Sequence, residues 1–171
     1  MVFAALDYWH AGRLPPAVRP APGTPLYRFV VRRLIQSWHI PAGVAGYYRR
    51  MLSSDAGLAR RTTSRQWPRI RALLDAGQPA PLGLVTVASV SPLLLGRNHQ
   101  VLAYGYAVRG PEVTLAVYDP NTGPADRVAI RFSTSGPFPR ASTGFAHNIS
   151  IGWPVRGFFL TRYKPARPPG D

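Results

Sequence analysis

The hydrophobic pattern of this chain changes its period near residue 81, and that change limits the folds open to it. Before that point, apolar residues recur at intervals of three and four, which is typical of amphipathic helices. After it, short stretches rich in β-branched and aromatic residues are separated by Pro, Gly and Asn, which is typical of strands. A helical first half followed by an antiparallel sheet predicts an α+β fold.

The pattern places helices over residues 2–11, 25–38, 44–52 and 64–76, and strands over residues 82–87, 99–106, 113–118, 128–132, 145–151 and 157–163. The second helix has the clearest start, because Thr24 is a good cap and Pro25 fits the first turn. Its apolar residues share one stripe, and we expect that stripe to face the core. The stripe consists of Leu26, Tyr27, Val30, Val31, Leu34, Ile35 and Trp38.

The length of 171 residues predicts a single domain, which we expect over residues 1–164. An Arg-rich helical insert is expected over about residues 24–76, and the Pro-rich residues 165–171 are expected to form a disordered tail. The apolar runs are too short for a membrane helix, and the amino terminus does not resemble a signal peptide. The chain as given is therefore expected to be soluble and cytoplasmic.

The charge of the chain is strongly one-sided, with 21 basic and seven acidic residues and a net charge of +14. Such a surplus is typical of proteins that bind polyanions, although a genome rich in Arg codons produces the same composition. An alternative function is therefore a non-enzymatic binder of nucleic acid or anionic lipid through an Arg-rich helical lobe. Its predicted anion-binding site is formed by Tyr47, Tyr48, Arg49 and Arg50, in which an exposed Tyr stacks on a base. The alternative is a solvated Arg face over aromatic core residues.

The absence of cysteine removes several functions from consideration. Without Cys the chain has no disulfide scaffold, no thiolate zinc site and no thiol nucleophile of its own. The four His have no second His or carboxylate at the spacing of metal ligands, so neither a metal nor another cofactor is expected.

One of the four His lies in a pattern that indicates a catalytic site. His99 opens a predicted strand, and Asp119 follows the next one, with a turn at Gly110-Pro111 between them. Adjacent antiparallel strands joined by this turn bring the two side chains together at one edge of the sheet. A carboxylate there can hold an imidazole in the orientation that a general base needs. The same spacing also fits an ordinary Asp-Pro turn beside a His at the end of a strand.

Two stretches of the second half carry a family resemblance, namely His99-Gln-Val-Leu-Ala-Tyr-Gly-Tyr106 and Val117-Tyr-Asp-Pro-Asn121. They resemble the corresponding part of papain-like cysteine peptidases of the C39-like group. The resemblance implies a papain-like fold and a thiol peptidase or amidase that acts on a peptide substrate. In that family the strand-opening His is the general base and the Asp of the Asp-Pro element orients it, which implies these roles for His99 and Asp119.

The chain departs from that family in its nucleophile, because it contains no Cys. The family places its Cys at the amino end of a buried first helix, and residues 1–12 resemble the body of such a helix. That Cys and the polar side chain of the oxyanion hole would both lie before Met1. The natural protein is therefore either longer at its amino end, or a degenerate copy without catalysis. In both cases the 171-residue chain itself is expected to be inactive.

Overall fold

The computed structural model describes residues 1–16, 19–123, 127–135 and 145–170. The described part contains five α-helices and a six-stranded antiparallel sheet, so the fold is α+β as the sequence predicts. The helices are α1 (Val2–His10), α2 (Pro25–Ser37), α3 (Ala42–Met51), α4 (Asp55–Arg61) and α5 (Trp67–Asp75). The strands are β1 (Ala80–Val85), β2 (His99–Arg109), β3 (Glu112–Tyr118), β4 (Ala129–Ser133), β5 (Ala146–His147) and β6 (Gly157–Leu160).

The strands lie in the order β5-β4-β3-β2-β1-β6, and every neighbouring pair is antiparallel. Strands β2 and β3 form a tight hairpin in which Arg109 pairs with Glu112. Gly110, in the turn between them, has a φ of +58°, a conformation that glycine adopts at little cost. The last two strands are shorter than predicted, with two residues in β5 and four in β6, and Phe145 and Val155 form an isolated antiparallel bridge outside them.

The main hydrophobic core lies on the face of the sheet that α5 covers. Trp67 and Ile70 of α5 are buried there, as their helical spacing predicts. They pack with inward-facing residues of five strands and of the connection before β6. This core contains Leu82, Leu84, Val101, Ala103, Val113, Leu115, Val117, Ile130, Phe132, Phe145, Ile149, Val155 and Phe158, among others.

The other face of the sheet carries α1 and α3. Leu102 of β2 packs against Phe3 and Leu6 of α1. Met51 of α3 packs against Phe159 of β6, in a cluster that also contains Val85 and Leu58. The helices of the expected insert therefore cover both faces of the sheet.

The outer edge of β6 is closed by a π-helical turn, Thr62–Gln66, that joins α4 to α5. The Thr62 hydroxyl accepts a hydrogen bond from the Phe158 amide at 3.2 Å, and the Gln66 side chain accepts one from the Leu160 amide at 3.1 Å. These two amides point away from the sheet, where they would otherwise be open to pairing with another strand. The turn thus protects an edge strand.

The inward face of α2 differs from the one predicted from its apolar stripe, of which only Leu26 and Val30 pack against the cluster of Ala4, Tyr8 and Phe29. Phe29, Arg33 and Ser37 are buried, whereas most of the stripe faces outward. The physical reason lies in α1, where the buried carboxylate of Asp7 needs a cation as its partner. Arg33 supplies it through two hydrogen bonds, and Phe29 packs edge-on against Tyr8 beside that pair.

The Pro-rich end of the chain was predicted to be disordered, whereas residues 165–170 contact the amino-terminal segment. The Ala166 amide donates a hydrogen bond to Asp7 at 2.9 Å, and the Arg13 guanidinium donates one to the Pro169 carbonyl at 2.9 Å. Pro168 is buried. The final residue of the predicted tail, Asp171, lies outside the described residues.

Candidate active site

The sheet brings His99 and Asp119 together where β2 begins and β3 ends. Leu102 of β2 pairs with Tyr118, the last residue of β3. Asp119, which follows Tyr118, therefore lies beside the first residues of β2. The Nε2 atom of His99 lies 2.8 Å from Oδ1 of Asp119, which is hydrogen-bonding distance. The proximity expected from the spacing is therefore present in the structure, and a catalytic role for the pair remains a prediction.

The Asp119 carboxylate is held firmly and is completely shielded from water, with a side-chain exposure of 0%. Its Oδ1 also accepts a hydrogen bond from the Asn121 amide at 3.0 Å, and its Oδ2 accepts one from the Ser150 amide at 3.2 Å. Burial is the largest influence on the Asp119 pKa and raises it. The hydrogen bonds from His99 and the two amides act in the opposite direction, and together they lower the pKa below its ordinary value.

The His99 ring keeps one nitrogen available. Its side chain is 15% exposed, and within the described part of the chain Asp119 is its only hydrogen-bonding partner. With the Nε2 proton donated to Asp119, the Nδ1 atom carries a lone pair that can accept a proton. An imidazole fixed in this manner by a buried carboxylate has the arrangement of a general base.

The direction from which a reacting group can reach His99 follows from the pleat of β2. His99 pairs with Leu84 on the face that holds the main core, whereas Leu102, on the other face, contacts α1. The core fills the inner part of the face that His99 shares. Since α1 lies on the other face, a nucleophile carried at its amino end has to reach the His99 ring past the end of the sheet where β2 starts.

The predicted anion patch is partly built into the fold. Tyr47 packs edge-on against Phe159 and directs its hydroxyl to the backbone carbonyl of His99 at 3.4 Å. The Tyr48 hydroxyl donates to a backbone carbonyl, and both Tyr are half-buried. Arg50 lies over the Phe159 ring at 3.9 Å, which leaves Arg49 as the exposed member of the four. This patch therefore does not offer the exposed Tyr that stacking on a base requires.

The electrostatics of this patch reflect the same burial. Burial is the main cause that raises the pKa of the Tyr47 phenol well above its ordinary value, against smaller opposing effects of Gln100 and Arg50. Burial also lowers the pKa of the Arg50 guanidinium. Both side chains are thus parts of the packing around β6 rather than a free cationic surface.

Two contributors to the site come from the backbone and were missed by reasoning on side-chain types. The Asn121 amide closes a short turn on the Asp119 carboxylate, and the sequence Asp-Pro-Asn is a usable signal for such a turn. The Ser150 amide arrives from a connection 31 residues further along the chain. No local sequence signal connects Ser150 with Asp119, so only the tertiary structure reveals that contact.

No cluster of three or more His, Asp or Glu side chains that could hold a metal ion occurs among the described residues. Within the same residues, no helix has both the length and the apolar character that crossing a bilayer requires. Comparison of the chain with protein-family models, with curated proteins and with solved structures finds no match.

Proposed function

We propose that this chain is a papain-like domain of the C39-like group, and that His99 and Asp119 are the base and its orienting residue in a thiol peptidase or amidase site. The observation that carries the proposal is the 2.8 Å contact between His99 Nε2 and a carboxylate that is fully buried and fixed by two backbone amides. The order of the elements, a helical first half before an antiparallel sheet, is compatible with that fold.

The geometry supports acyl transfer in the following manner. The Nδ1 atom of His99 takes the proton of a thiol, and the thiolate attacks the carbonyl carbon of a peptide bond. Asp119 stabilises the imidazolium that forms. The imidazolium then gives its proton to the leaving amine, which leaves an acyl group on sulfur as a thioester. Water, deprotonated by the same imidazole, releases the acid and restores the thiol.

The thiol has to come from outside these 171 residues, because they contain no Cys. The proposal has two forms: a segment that precedes Met1 supplies the thiol, or the protein is a copy that has lost catalysis. In either case the chain as given is expected to be inactive, since a base without a nucleophile forms no covalent intermediate. What the proposal requires of the chain is that His99 can activate a thiol placed at the end of the sheet.

The test restores a thiol and measures its reactivity. A short segment that ends in Cys is added directly before Met1, and the alkylation rate of that thiol is followed as a function of pH. We expect a lowered thiol pKa, so that alkylation at mildly acidic pH is at least tenfold faster than for an unassisted thiol. The same extended chain with His99→Gln is expected to lose this advantage.

The matched control is Ser64→Cys in the unextended chain, since Ser64 is exposed and lies just before α5. Its alkylation supplies the reference for a thiol without a base. If the added thiol alkylates with the same pH dependence as this reference, the proposal is wrong. If the added thiol is activated equally well with His99→Gln, the base is another group and the assignment of His99 is wrong.

A further inference from the structure

Helix α2 exposes an unbroken apolar stripe on its outer face. Its inner face is occupied by Phe29, Arg33 and Ser37, and five apolar residues lie together on the outer side of the helix beside Arg28. We call this set the α2 stripe: Tyr27, Val31, Leu34, Ile35 and Trp38. Tyr27 and Leu34 are each 38% exposed, Trp38 is 47% exposed and Ile35 is 52% exposed. Apolar surfaces of this size are often functional when they are continuous.

Two cations border the α2 stripe. Arg28 and Arg32 are exposed, lie one helical turn apart, and line a shallow groove together with Tyr27, Val31 and Ile35. No carboxylate among the described residues forms an ion pair with either of them, although four other carboxylates do pair with His or Arg. Arg28 donates to the Gly23 carbonyl at 2.8 Å and Arg32 lies over the Phe29 ring, but neither contact neutralises the charge, which is open to an external anion beside an apolar surface.

We propose that α2 docks on the surface of a lipid bilayer that contains anionic headgroups, with the α2 stripe at the acyl boundary and Arg28 and Arg32 at the headgroup phosphates. An apolar face beside basic residues is the pattern of helices that lie in a membrane interface. Tyr27 and Trp38 are eleven positions apart, which is about 16 Å along a helix. Both have a polar atom on an apolar ring and suit the headgroup level.

A bilayer fits this surface better than a second copy or another folded protein. The large side chains of the stripe expose on the order of 300 Å² in total, whereas a stable protein interface buries about 800 Å² on each partner. A second copy also carries the net charge of +14, so like-charge repulsion opposes self-association. A bilayer requires no complementary shape, and its anionic headgroups attract the charge that repels another copy.

The experiment is flotation of the full chain with vesicles of phosphatidylcholine alone and of phosphatidylcholine mixed with phosphatidylserine. We expect binding to the anionic vesicles and little to the neutral ones, with a blue shift of tryptophan emission. Ile35→Asp is expected to lower the partition coefficient at least tenfold, because it places a charge in the stripe. The double substitution Arg28→Gln with Arg32→Gln is expected to lower it about tenfold or more.

Matched controls separate this site from the general positive charge. Leu93→Asp places the same charge at another exposed apolar residue, 89% exposed, and Arg65→Gln with Arg69→Gln removes the same charge from exposed Arg near α5. Apart from the small effect of the changed net charge, both variants are expected to have partition coefficients for the anionic vesicles within about twofold of that of the unsubstituted chain.

Three results would overturn the proposal. The first is the absence of binding to anionic vesicles at low salt. The second is a loss for Arg65→Gln with Arg69→Gln as large as for the α2 pair, which would make the attraction a property of the whole surface. The third is a dimer in sedimentation that Ile35→Asp dissociates while vesicle binding stays unchanged, which would assign the stripe to a second copy of this chain.

Discussion

Two carboxylates, Asp7 and Asp119, are equally hidden from water, at 1% and 0% exposure, but have different neighbours. Asp7 in α1 is bound by the guanidinium of Arg33, the hydroxyl of Tyr163 at 2.6 Å and the Ala166 amide at 2.9 Å. Asp119 after β3 is bound by the His99 ring and two backbone amides. Each pair costs desolvation of a charge, and each offsets that cost by hydrogen bonds.

The difference lies in what the partner of each carboxylate has left to donate or accept. Two further donors of Arg33 are used by the Gln36 side chain at 2.6 Å and the Lys164 carbonyl at 2.8 Å, and Arg does not lose its proton. The Asp7 cluster thus connects α1, α2 and the end of the chain, and has no group left for chemistry. His99 can gain and lose a proton and keeps Nδ1 available. A buried carboxylate therefore points to function only when its partner is titratable and incompletely used.

The largest effect expected from this comparison is on stability, at the Asp7 cluster. Arg33→Met leaves a buried carboxylate without its cation, and we expect a loss of about 3–5 kcal/mol in the free energy of unfolding. Urea unfolding followed by circular dichroism measures it. The control is Arg32→Met at the exposed neighbour, with an expected change within about 0.5 kcal/mol. Equal costs for the two substitutions would show that the Asp7 cluster does not hold the helices together.

The second effect concerns Asp119 and depends on pH. Asp119→Asn is expected to cost about 1–3 kcal/mol at neutral pH, because the amide cannot serve all three donors. The lowered pKa means that the carboxylate stabilises the fold fully above its ordinary pKa of 3.8, and that this contribution is lost as the pH falls through the lower pKa of the folded state. Unfolding measured over an acidic pH series should show the difference from the unsubstituted chain shrinking.

The control for this pH dependence is Glu112→Gln, since Glu112 is exposed at the start of β3. Its effect on the free energy of unfolding is expected to be small at every pH. A difference for Asp119→Asn that stays constant from neutral to strongly acidic pH would contradict an ionised Asp119 in the native state.

The third effect is smaller and concerns Tyr163, the neutral donor to Asp7. Tyr163→Phe is expected to cost about 1.5 kcal/mol, because one charge-assisted hydrogen bond is lost while Arg33 remains. Burial first, and then the bond to Asp7, raises the Tyr163 pKa above its ordinary value of 10.0, so its stabilising effect is lost as the pH rises above that value. Absorbance titration of the phenols should show one late-ionising Tyr fewer in the variant.

Tyr104→Phe is the matched control for stability, since Tyr104 is 57% exposed. Its expected effect on the free energy of unfolding is within about 0.5 kcal/mol. A Tyr163→Phe variant that is as stable as Tyr104→Phe would remove Tyr163 from the Asp7 cluster.

The smallest expected effect on stability is at His99. In His99→Gln the new amide can still donate to Asp119, so we expect a loss of about 1 kcal/mol or less. The same substitution should abolish the activation of an added thiol. A small loss of stability together with a complete loss of thiol activation would distinguish Asp119 most clearly from Asp7. A loss of stability as large as that of Arg33→Met would make His99 a structural residue.

Local signals were sufficient for much of the fold. Thr24 caps α2 by accepting from the Tyr27 amide at 3.2 Å, and six strands follow the change of period. Helix α4 was not predicted, although Ser54 accepts from the Gly57 amide as a cap in the same manner. The helix has seven residues, which is too short for a periodic apolar pattern to emerge.

The proximity of His99 and Asp119 was readable from sequence, because a tight hairpin fixes the register of two adjacent strands and so converts spacing along the chain into spacing in space. The inward face of α2 was not readable. Periodicity shows that a helix has an apolar side, but not whether the protein provides a surface to cover it. The orientation of α2 is set by Asp7, which is distant in sequence. Because Asp7 is buried, Arg33 has to face inward to pair with it, and the α2 stripe is left on the outside.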